Sequence, residues 1–173
     1  NLNKHEQEQD LYDWLRLSLT KGIGNETARK LLSVFGLPSQ IFSTEFELLT
    51  EYISAKSARA LLQAPDDAMR FQIDLTQDWL EQPGNFLLSL ADARFPPSLF
   101  SIPDPPLLLY VKGRLDLLDV PTIAVVGSRN ATAQGVLNEE KFSENLSHAG
   151  LCISSGLAAG IDAAAHVGAL RGK

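Results

Sequence analysis

The sequence predicts an α/β protein in which a small all-helical domain precedes the first part of a doubly wound parallel sheet. Before Pro83-Gly84 the apolar residues recur at helical spacing, and after it they gather into short runs typical of strands. Two such runs, residues 123–126 and 151–154, lead through turns containing glycine and serine into helical patterns, which is the repeating unit of a parallel sheet. Because Pro83-Gly84 also ends a helix, we expect the domains to be residues 1–84 and 85–173.

The first 84 residues predict four or five short helices joined by short loops. The polar leading segment, residues 3–10, is expected to fray. Asn25 is the expected N-cap of the second helix, and Ser43 with Thr44 that of a helix ending at Ile53. In chain order the helices are expected at residues 11–19, 25–35, 43–53, 55–63 and 66–81, with a short helical turn at 38–42.

The Gly22-Ile23-Gly24 turn joins the first two helices in a pattern that resembles a helix-hairpin-helix. The amides of such a turn can face a DNA phosphate, or the turn can be a plain structural corner. Lys21, Arg29 and Lys30 supply the nearby positive charge, and the surrounding residues are acidic. We therefore favour a corner within a bundle that holds the next domain or docks a partner, and contact with duplex DNA stays open.

The second domain is expected to open with strands at residues 85–90 and 107–111. The proline clusters between them, Pro96-Pro97 and Pro103-Asp104-Pro105-Pro106, predict a rigid connection without regular helix or central strand. The remaining elements are expected to be a brief helix at 115–118, a buried strand from Pro121 through residue 126, a helix at 131–149, a strand at 151–154 and a helix at 160–171.

The last part of the chain predicts an unfinished sheet. We expect the helix at 131–149 to bury Phe142, Leu146 and Ala149. A doubly wound sheet normally contains further strands, so we expect this chain to be the N-terminal piece of a longer protein. A half-sheet leaves an apolar edge and face exposed, which predicts either a covering second chain or poor solubility.

Each strand-to-helix turn is a candidate anion site. The first contains Gly127, Ser128 and Arg129, and the second contains Ser155 and Gly156. Unpaired amides and the positive end of a helix dipole meet at such turns, so phosphate is the natural ligand. Since the carboxyl ends of parallel strands share one edge, both turns should face one crevice. Arg129 could bind a phosphate there, or it could form an ion pair that links the turn to a carboxylate.

Catalytic and metal-binding roles have less support. Asp162 and His166 share a helix face, but no third ligand stands at a metal spacing, so a structural aspartate and a core histidine are favoured. Ser128 and Ser155 have no histidine placed by the sequence to activate them, and Cys152 is interpreted as a small hydrophobic strand residue. We predict no catalytic residue, no metal and no cofactor.

Composition and charge narrow the class of protein. The chain has one cysteine among 173 residues, so no internal disulfide can form. Without an apolar run of ~20 residues or a signal peptide, it is expected to be cytoplasmic and free of membrane contact. The net charge of −6 opposes a broad basic face. Residues 85–173 carry seven Lys or Arg against eight Asp or Glu, which leaves room for a local basic crevice.

Several ordered motifs resemble the DNA-processing protein A family (DprA, also called Smf). They are Val126-Gly127-Ser128-Arg129-Asn130-Ala131-Thr132, the run SGLAAGIDAAAH from Ser155 to His166, and Gly168-Ala169-Leu170. Upstream, Arg94-Phe95-Pro96-Pro97-Ser98-Leu99 and the run IPDPPLLLYVKG at 102–113 resemble the segment that leads into the family's nucleotide-binding fold. The similarity therefore extends over most of the second predicted domain.

The resemblance implies a helical domain of the sterile-alpha-motif (SAM-like) type followed by a Rossmann-like domain. It implies a non-enzymatic recombination mediator that binds single-stranded DNA, protects incoming DNA during natural transformation and loads the RecA recombinase. A homodimer through the Rossmann-like domain is also implied. Arg129, and Lys173 after the Gly-Ala-Leu helix, match family residues that line the DNA pocket. The candidate nucleic-acid-binding residues are thus Gly127, Ser128, Arg129, Ser155, Gly156 and Lys173.

An enzyme that acts on a phosphoribosyl nucleotide is the alternative. Related folds bind nucleotides, and two glycine-bearing turns could hold a mononucleotide. Such an enzyme should carry a further glycine-rich phosphate loop and a catalytic carboxylate beyond Lys173.

Overall fold

A computed structural model describes residues 4–172, which form two compact units that divide between Gly113 and Arg114. The first unit comprises α1 (Lys4–Leu19), α2 (Asn25–Phe35), α3 (Pro38–Phe42), α4 (Phe46–Thr50), α5 (Ala55–Leu62), α6 (Asp67–Leu80), β1 (Asn85–Ser89), α7 (Pro97–Phe100) and β2 (Leu108–Lys112). The second comprises a 3-10 helix (Leu115–Asp119), β3 (Thr122–Ala124), α8 (Ala133–His148), β4 (Cys152–Ser154) and α9 (Ile161–Ala169). Within residues 4–172, no helix has the length and apolar character needed to cross a bilayer.

A shared core holds the short helices of the first unit together. Leu17, Leu31, Ile41, Leu49 and Leu61 are fully buried in one cluster and come from α1, α2, α3, α4 and α5 in turn. Helices this short are marginal in isolation. Burial of each side chain contributes ~1.5–3 kcal/mol, so the core supplies what the separate helices lack. The predicted series of short helices is confirmed, although several boundaries differ.

Two helix starts near the N-terminus differ from the prediction. α1 already begins at Lys4, so the described part of the segment expected to fray is helical. Its Glu and Gln residues are good helix formers despite their polarity. Gly24, and not Asn25, is the N-cap of α2, and Asn25 is the first helical residue.

Two short helices also differ from their predictions. Ser43 and Thr44 do not cap α4, since both hydroxyls donate to the carbonyl oxygen of Gln40 and the helix begins at Phe46. The proline-rich connection does contain a helix, because Pro97 occupies the start of the one-turn α7. Proline is tolerated there since the first N–H of a helix has no intrahelical acceptor.

The antiparallel pair of strands belongs to the same compact unit as the helices. β1 and β2 pair with Leu88 opposite Leu109, and Leu88 is fully buried. The side-chain amide of Asn85 donates to the carbonyl oxygen of Trp79 in α6 at 2.7 Å. Leu107, just before β2, lies in the helical core. The structural units thus divide after this strand pair, and a sequence-domain boundary between residues 84 and 85 stays a prediction.

The basic residues around the Gly22-Ile23-Gly24 turn are engaged with protein groups. Arg29 donates to Asp104 at 2.7 Å and to the carbonyl oxygen of Pro105. Lys30 donates to the carbonyl oxygen of Tyr52 at 3.0 Å, and Lys21 lies 3.8 Å from Asp66. Each contact would have to be given up to bind a DNA phosphate. The arrangement therefore favours a structural corner.

A carboxylate clamp at Asp92 predicts a pH-dependent contribution to stability. Asp92 accepts from the backbone amide of Arg94 and from its guanidinium at 2.7 and 3.0 Å. The Arg94 side-chain hydrogen bonds hold the pKa of this carboxyl below its usual value. The stabilisation is therefore complete above the unfolded pKa of ~3.9 and is lost as the pH falls through the lower folded value.

We expect Asp92→Asn to lower the urea midpoint at pH 7, and the difference from wild type to shrink below about pH 4. The control is Asp74→Asn, which changes an exposed carboxylate on α6 that has no hydrogen-bond partner in the described part of the chain. A deficit in Asp92→Asn that persisted unchanged at about pH 2.5, below both pKa values, would contradict the clamp.

The second unit contains the predicted parallel strand pair. β3 and β4 pair with Ile123 opposite Ile153, and the amide of Val125 extends the pairing to the carbonyl oxygen of Ser154 at 2.8 Å. The prediction that the first strand is buried is wrong: Ile123 is 37% exposed and Val126 80% exposed. A small core forms below the strands around Val125, Ile153 and Ala165. The expected exposure of an apolar strand surface is thus confirmed for this pair.

α8 presents a different face to the core than predicted. Phe142 is 57% exposed, whereas Ser143 and Ser147 are buried. The reason lies in α9, where Gly168 comes so close to α8 that a Cβ there would lie 2.0 Å from the carbonyl oxygen of Glu140. Only small side chains fit along such a close approach. The predicted stripe is therefore wrong at Phe142, and Ala149 is exposed as well.

Candidate functional site

The two strand-to-helix turns of the second unit are in direct contact. The first turn is residues 127–132 and follows β3, and the second turn is residues 155–160 and follows β4. The amide of Ile161, at the start of α9, donates to the carbonyl oxygen of Ser128 at 3.1 Å. Because β3 and β4 are parallel, both turns lie at the same edge of the strand pair. They form one continuous surface.

Two glycines make this contact possible. Gly160 has φ +85°, and a Cβ there would lie 2.2 Å from the carbonyl oxygen of Ser128. Gly127 has an ordinary φ, but a Cβ there would lie 2.6 Å from the Cβ of Ile161. Each position therefore requires a residue without a side chain. Gly127 is a spacer for α9 in addition to being a candidate contact residue.

Several backbone amides of the turns remain available to a ligand. Among the described residues, no protein acceptor takes the amides of Gly127, Ser128, Arg129, Ser155 or Gly156. The amides that follow are used internally, since Asn130 donates to Ser128 Oγ and Leu157 to Ser155 Oγ, both at 3.1 Å. Unpaired N–H groups on an exposed turn are donors for an anion.

Arg129 is exposed and unengaged. Within residues 4–172 it is the one arginine without a hydrogen bond, an ion pair or an aromatic contact. It therefore does not tie the first turn to a carboxylate, which was the alternative left open by the sequence. An arginine with five free donors beside unpaired amides is well suited to bind a phosphate.

Ser155 and His166 form a contact that the sequence did not predict. The Ser155 Oγ and the His166 Nε2 are 2.7 Å apart, and both side chains are half-buried. The sequence places a histidine on the helix after the second turn, but eleven residues separate the pair. The folding back of α9 along β4 brings them together. The sequence placed no histidine to activate either serine, but the fold brings His166 within hydrogen-bond distance of Ser155.

Among residues 4–172, no third group completes a catalytic triad with Ser155 and His166. Asp162 lies one turn before His166, but its carboxylate accepts from the amide of Ala158 at 3.4 Å and bonds no ring nitrogen in the described residues. Asp162 is therefore a clamp of the second turn, as favoured by the sequence. Within residues 4–172, no cluster of His, Cys, Asp or Glu is arranged to hold a metal ion.

The remaining candidates are less informative. Lys173 lies outside the described residues, so its role stays a prediction. Cys152 is half-buried in β4, as a small strand residue should be. The surface thus combines an unengaged guanidinium, unpaired amides and two serine hydroxyls. Chemically, it can bind an anion with several oxygens.

Comparison with known proteins assigns the fold and the family. The family model described as DNA recombination-mediator protein A matches residues 86–173. Among curated relatives, DNA processing protein DprA of Streptococcus pneumoniae is 45% identical over 104 residues, covering 58% of this chain and 36% of the relative. Protein Smf of Escherichia coli is 37% identical over 119 residues, covering 69% and 31%. Protein Smf of Synechocystis is 33% identical over 164 residues, covering 91% and 40%.

A solved structure agrees. The X-ray structure of DprA from Streptococcus pneumoniae has a TM-score of 0.61 to this chain at 33% identity, covering 94% of this chain and 55% of that one. The chain spans about a third to two fifths of the length of those curated relatives. The match confirms a mixed α/β fold and the resemblance stated from the motifs. The chain belongs to the DNA recombination-mediator protein A (DprA/Smf) family.

Proposed function

We propose that the surface formed by the first and second turns binds the backbone of single-stranded DNA. In this proposal the amides of Gly127, Ser128, Ser155 and Gly156 and the side chain of Arg129 bind phosphates. Lys173 is the further cation implied by the family pattern. The protein acts as a recombination mediator that protects incoming DNA in the cytoplasm and loads RecA, and it does so without catalysis.

One observation carries the proposal: Arg129 is exposed and unengaged beside amides that have no protein acceptor. An exposed arginine can stay unpaired without strain and without losing its hydration. On this acidic chain, however, the other described arginines have protein partners. Single-stranded nucleic acids are bound by positive grooves that follow the backbone. A DNA phosphate supplies the acceptor that this guanidinium lacks.

The domain architecture is part of the proposal. We propose that the helices before residue 85 form a SAM-like domain and that the rest opens a Rossmann-like domain through which two copies associate. The family match begins at residue 86, next to the predicted boundary, which supports separate sequence domains. The parallel pair of β3 and β4, with α8 between them in sequence, supports a βαβ unit of the Rossmann type.

Replacing Arg129 tests the site. We expect Arg129→Ala to weaken binding of an oligo(dT) strand about tenfold, since a charge-assisted hydrogen bond is lost. The slope of log affinity against log salt should fall by about 0.7, the value for one phosphate contact on a single strand. Fluorescence anisotropy at several salt concentrations measures both quantities.

The matched control is Arg70→Ala, which removes the same charge from an exposed arginine of α6 that pairs with Asp67. It should leave affinity and salt slope at wild-type values. Arg129→Lys should lie between, because lysine keeps the charge but not the planar fork. If Arg129→Ala bound as tightly as wild type with the same slope, Arg129 would not belong to the site.

The enzyme alternative has one observation in its favour, the Ser155–His166 contact. This alternative predicts that a nucleoside monophosphate binds at least as tightly as an oligonucleotide does. Calorimetry with both ligands separates the two functions. We expect oligo(dT) to bind more tightly than the mononucleotide at equal phosphate concentration, because one phosphate reaches only part of the surface.

A further inference from the structure

The hydroxyl of Ser155 has a limited number of hydrogen bonds to give. It offers one proton and two acceptor lone pairs. The Leu157 amide uses one lone pair at 3.1 Å. The His166 Nε2, at 2.7 Å, uses either the proton or the second lone pair. What remains for a ligand on the second turn is therefore decided by His166.

The two possible states have opposite effects on an anion. If Nε2 is unprotonated, the Ser155 proton is donated to the ring, and the remaining lone pair faces a phosphate oxygen with repulsion. If Nε2 carries a proton, the ring donates to Oγ and the Ser155 proton is free to donate to phosphate. A doubly protonated ring can only donate, and it adds a positive charge one hydrogen bond behind the site.

We infer that His166 is a positioning residue that sets Ser155 as a phosphate donor, so that DNA binding at the second turn strengthens as His166 gains a proton on Nε2. This inference rests on the proposed function and adds to it that the affinity for DNA increases as the pH falls. His166 itself does not touch the ligand. It acts through the orientation of one hydroxyl.

The charged groups on the elements around His166 are engaged with other partners. Asp162 lies on the same helix as His166, and Arg114 and Cys152 line the same cavity. Glu140 and Glu144 lie on α8, which packs against α9, and they face Arg171. The ionised ones are engaged: Asp162 with the Ala158 amide, Arg114 with Asp116, and both glutamates with Arg171. No ring nitrogen of His166 contacts these charges within the described residues.

The first measurement is the affinity for oligo(dT) at about pH 6 and about pH 8 at constant salt. Wild type should bind about three- to tenfold more tightly at the lower pH, because a proton on Nε2 leaves the Ser155 hydroxyl free to donate to phosphate. His166→Gln should bind equally at both pH values, since its side-chain amide donates to Oγ regardless of pH. The control is His148→Gln, which changes an exposed histidine at the end of α8 and should keep the wild-type ratio.

The second measurement tests whether the two residues act as one unit. Ser155→Ala should weaken binding at the lower pH and abolish the pH ratio. Adding His166→Gln to Ser155→Ala should change nothing further. Independent, additive losses in the double variant would overturn the inference, as would a wild-type pH ratio in His166→Gln.

A third measurement does not depend on DNA. Addition of inorganic phosphate should increase the fraction of His166 rings with a proton on Nε2, observed by ¹⁵N NMR, and Ser155→Ala should remove this response. A ring unaffected by phosphate in wild type would overturn the inference.

The same measurement separates the inference from the proposed function. If the protein failed to bind oligo(dT) while phosphate still shifted His166, the DNA function would fall and the coupling of His166 to Ser155 would stand. If DNA binding depended on Arg129 while phosphate left His166 unchanged, the DNA function would stand and the coupling would fall.

Discussion

Gly160→Ala is expected to destabilise the second unit by about 3 kcal/mol or more and to abolish DNA binding at the same time. Gly160 has φ +85° and ψ −125°, a conformation that residues with a side chain rarely adopt. Its Cβ would also lie 2.2 Å from the carbonyl oxygen of Ser128 and 2.7 Å from that of Arg129. Both obstacles are backbone atoms, so a rotamer change cannot relieve them.

The predicted loss extends to binding because Gly160 lies at the junction of the two turns. Moving Ser128 away would break the hydrogen bond from the Ile161 amide and displace the neighbouring Arg129. Thermal unfolding and oligo(dT) anisotropy measure the two effects. The matched control is Gly24→Ala, since Gly24 is also a helix N-cap but has φ −85° and no atom within 4 Å of a Cβ.

Gly24→Ala should cost less than about 1 kcal/mol, which is the usual difference at an N-cap. If Gly160→Ala were no worse than this control, the close contact between the turns would not exist in solution. Stability near wild type combined with lost binding would show instead that the turns can separate without unfolding.

Gly168→Ala is expected to cost about 2–4 kcal/mol, although alanine is the better helix former by ~1 kcal/mol. Gly168 lies inside α9 at its contact with α8, and the added Cβ would meet the carbonyl oxygen of Glu140 at 2.0 Å. The two helices would have to move apart. Such a movement opens the packing at Ser143 and Ser147, which are buried on the facing side of α8.

The control for this prediction is Val167→Ala, which shortens an exposed side chain one residue away on the same helix. It should change stability by less than about 0.5 kcal/mol. Urea unfolding at constant pH compares the two variants. A Gly168→Ala protein as stable as Val167→Ala would mean that α8 and α9 do not approach so closely.

The two βα units could be predicted because their signals are local. The run Ile123-Ala124-Val125-Val126 is β-branched and ends in glycine, and Leu151-Cys152-Ile153-Ser154 repeats the pattern before Ser155-Gly156. Parallel pairing then follows from strand, turn and helix in that order. The motifs also identified the family, which the comparisons confirm.

Contacts between residues far apart in the sequence could not be predicted in the same way. Periodicity favoured Phe142 for the inner face of α8 because it is large and apolar, but α9 approaches closely at Gly168, and the small Ser143 and Ser147 are buried instead. The Ser155–His166 contact depends on how far α9 folds back over its own turn. The available signal for this contact was the order along the chain, in which a serine ends a strand and a histidine follows on the next helix.

The Arg129 environment illustrates the same limit. The sequence left two interpretations of this residue open, because a carboxylate partner can come from any part of a chain with 21 acidic residues. The folded chain supplies partners to Arg29, Arg94 and Arg171 but none to Arg129 within the described residues. Its role as a DNA contact stays a proposal that the alanine variant decides.

The hydrogen bond from the Ile161 amide to the Ser128 carbonyl has a mechanical consequence. A DNA strand under tension across the first turn would act on the peptide bond between Ser128 and Arg129. The carbonyl oxygen of this peptide accepts from the amide of Ile161, the first residue of α9. The force would pass down α9 and, at Gly168, into the backbone of α8. If DNA binds as proposed, both turns would move together, and the tension would be shared by α8 and α9.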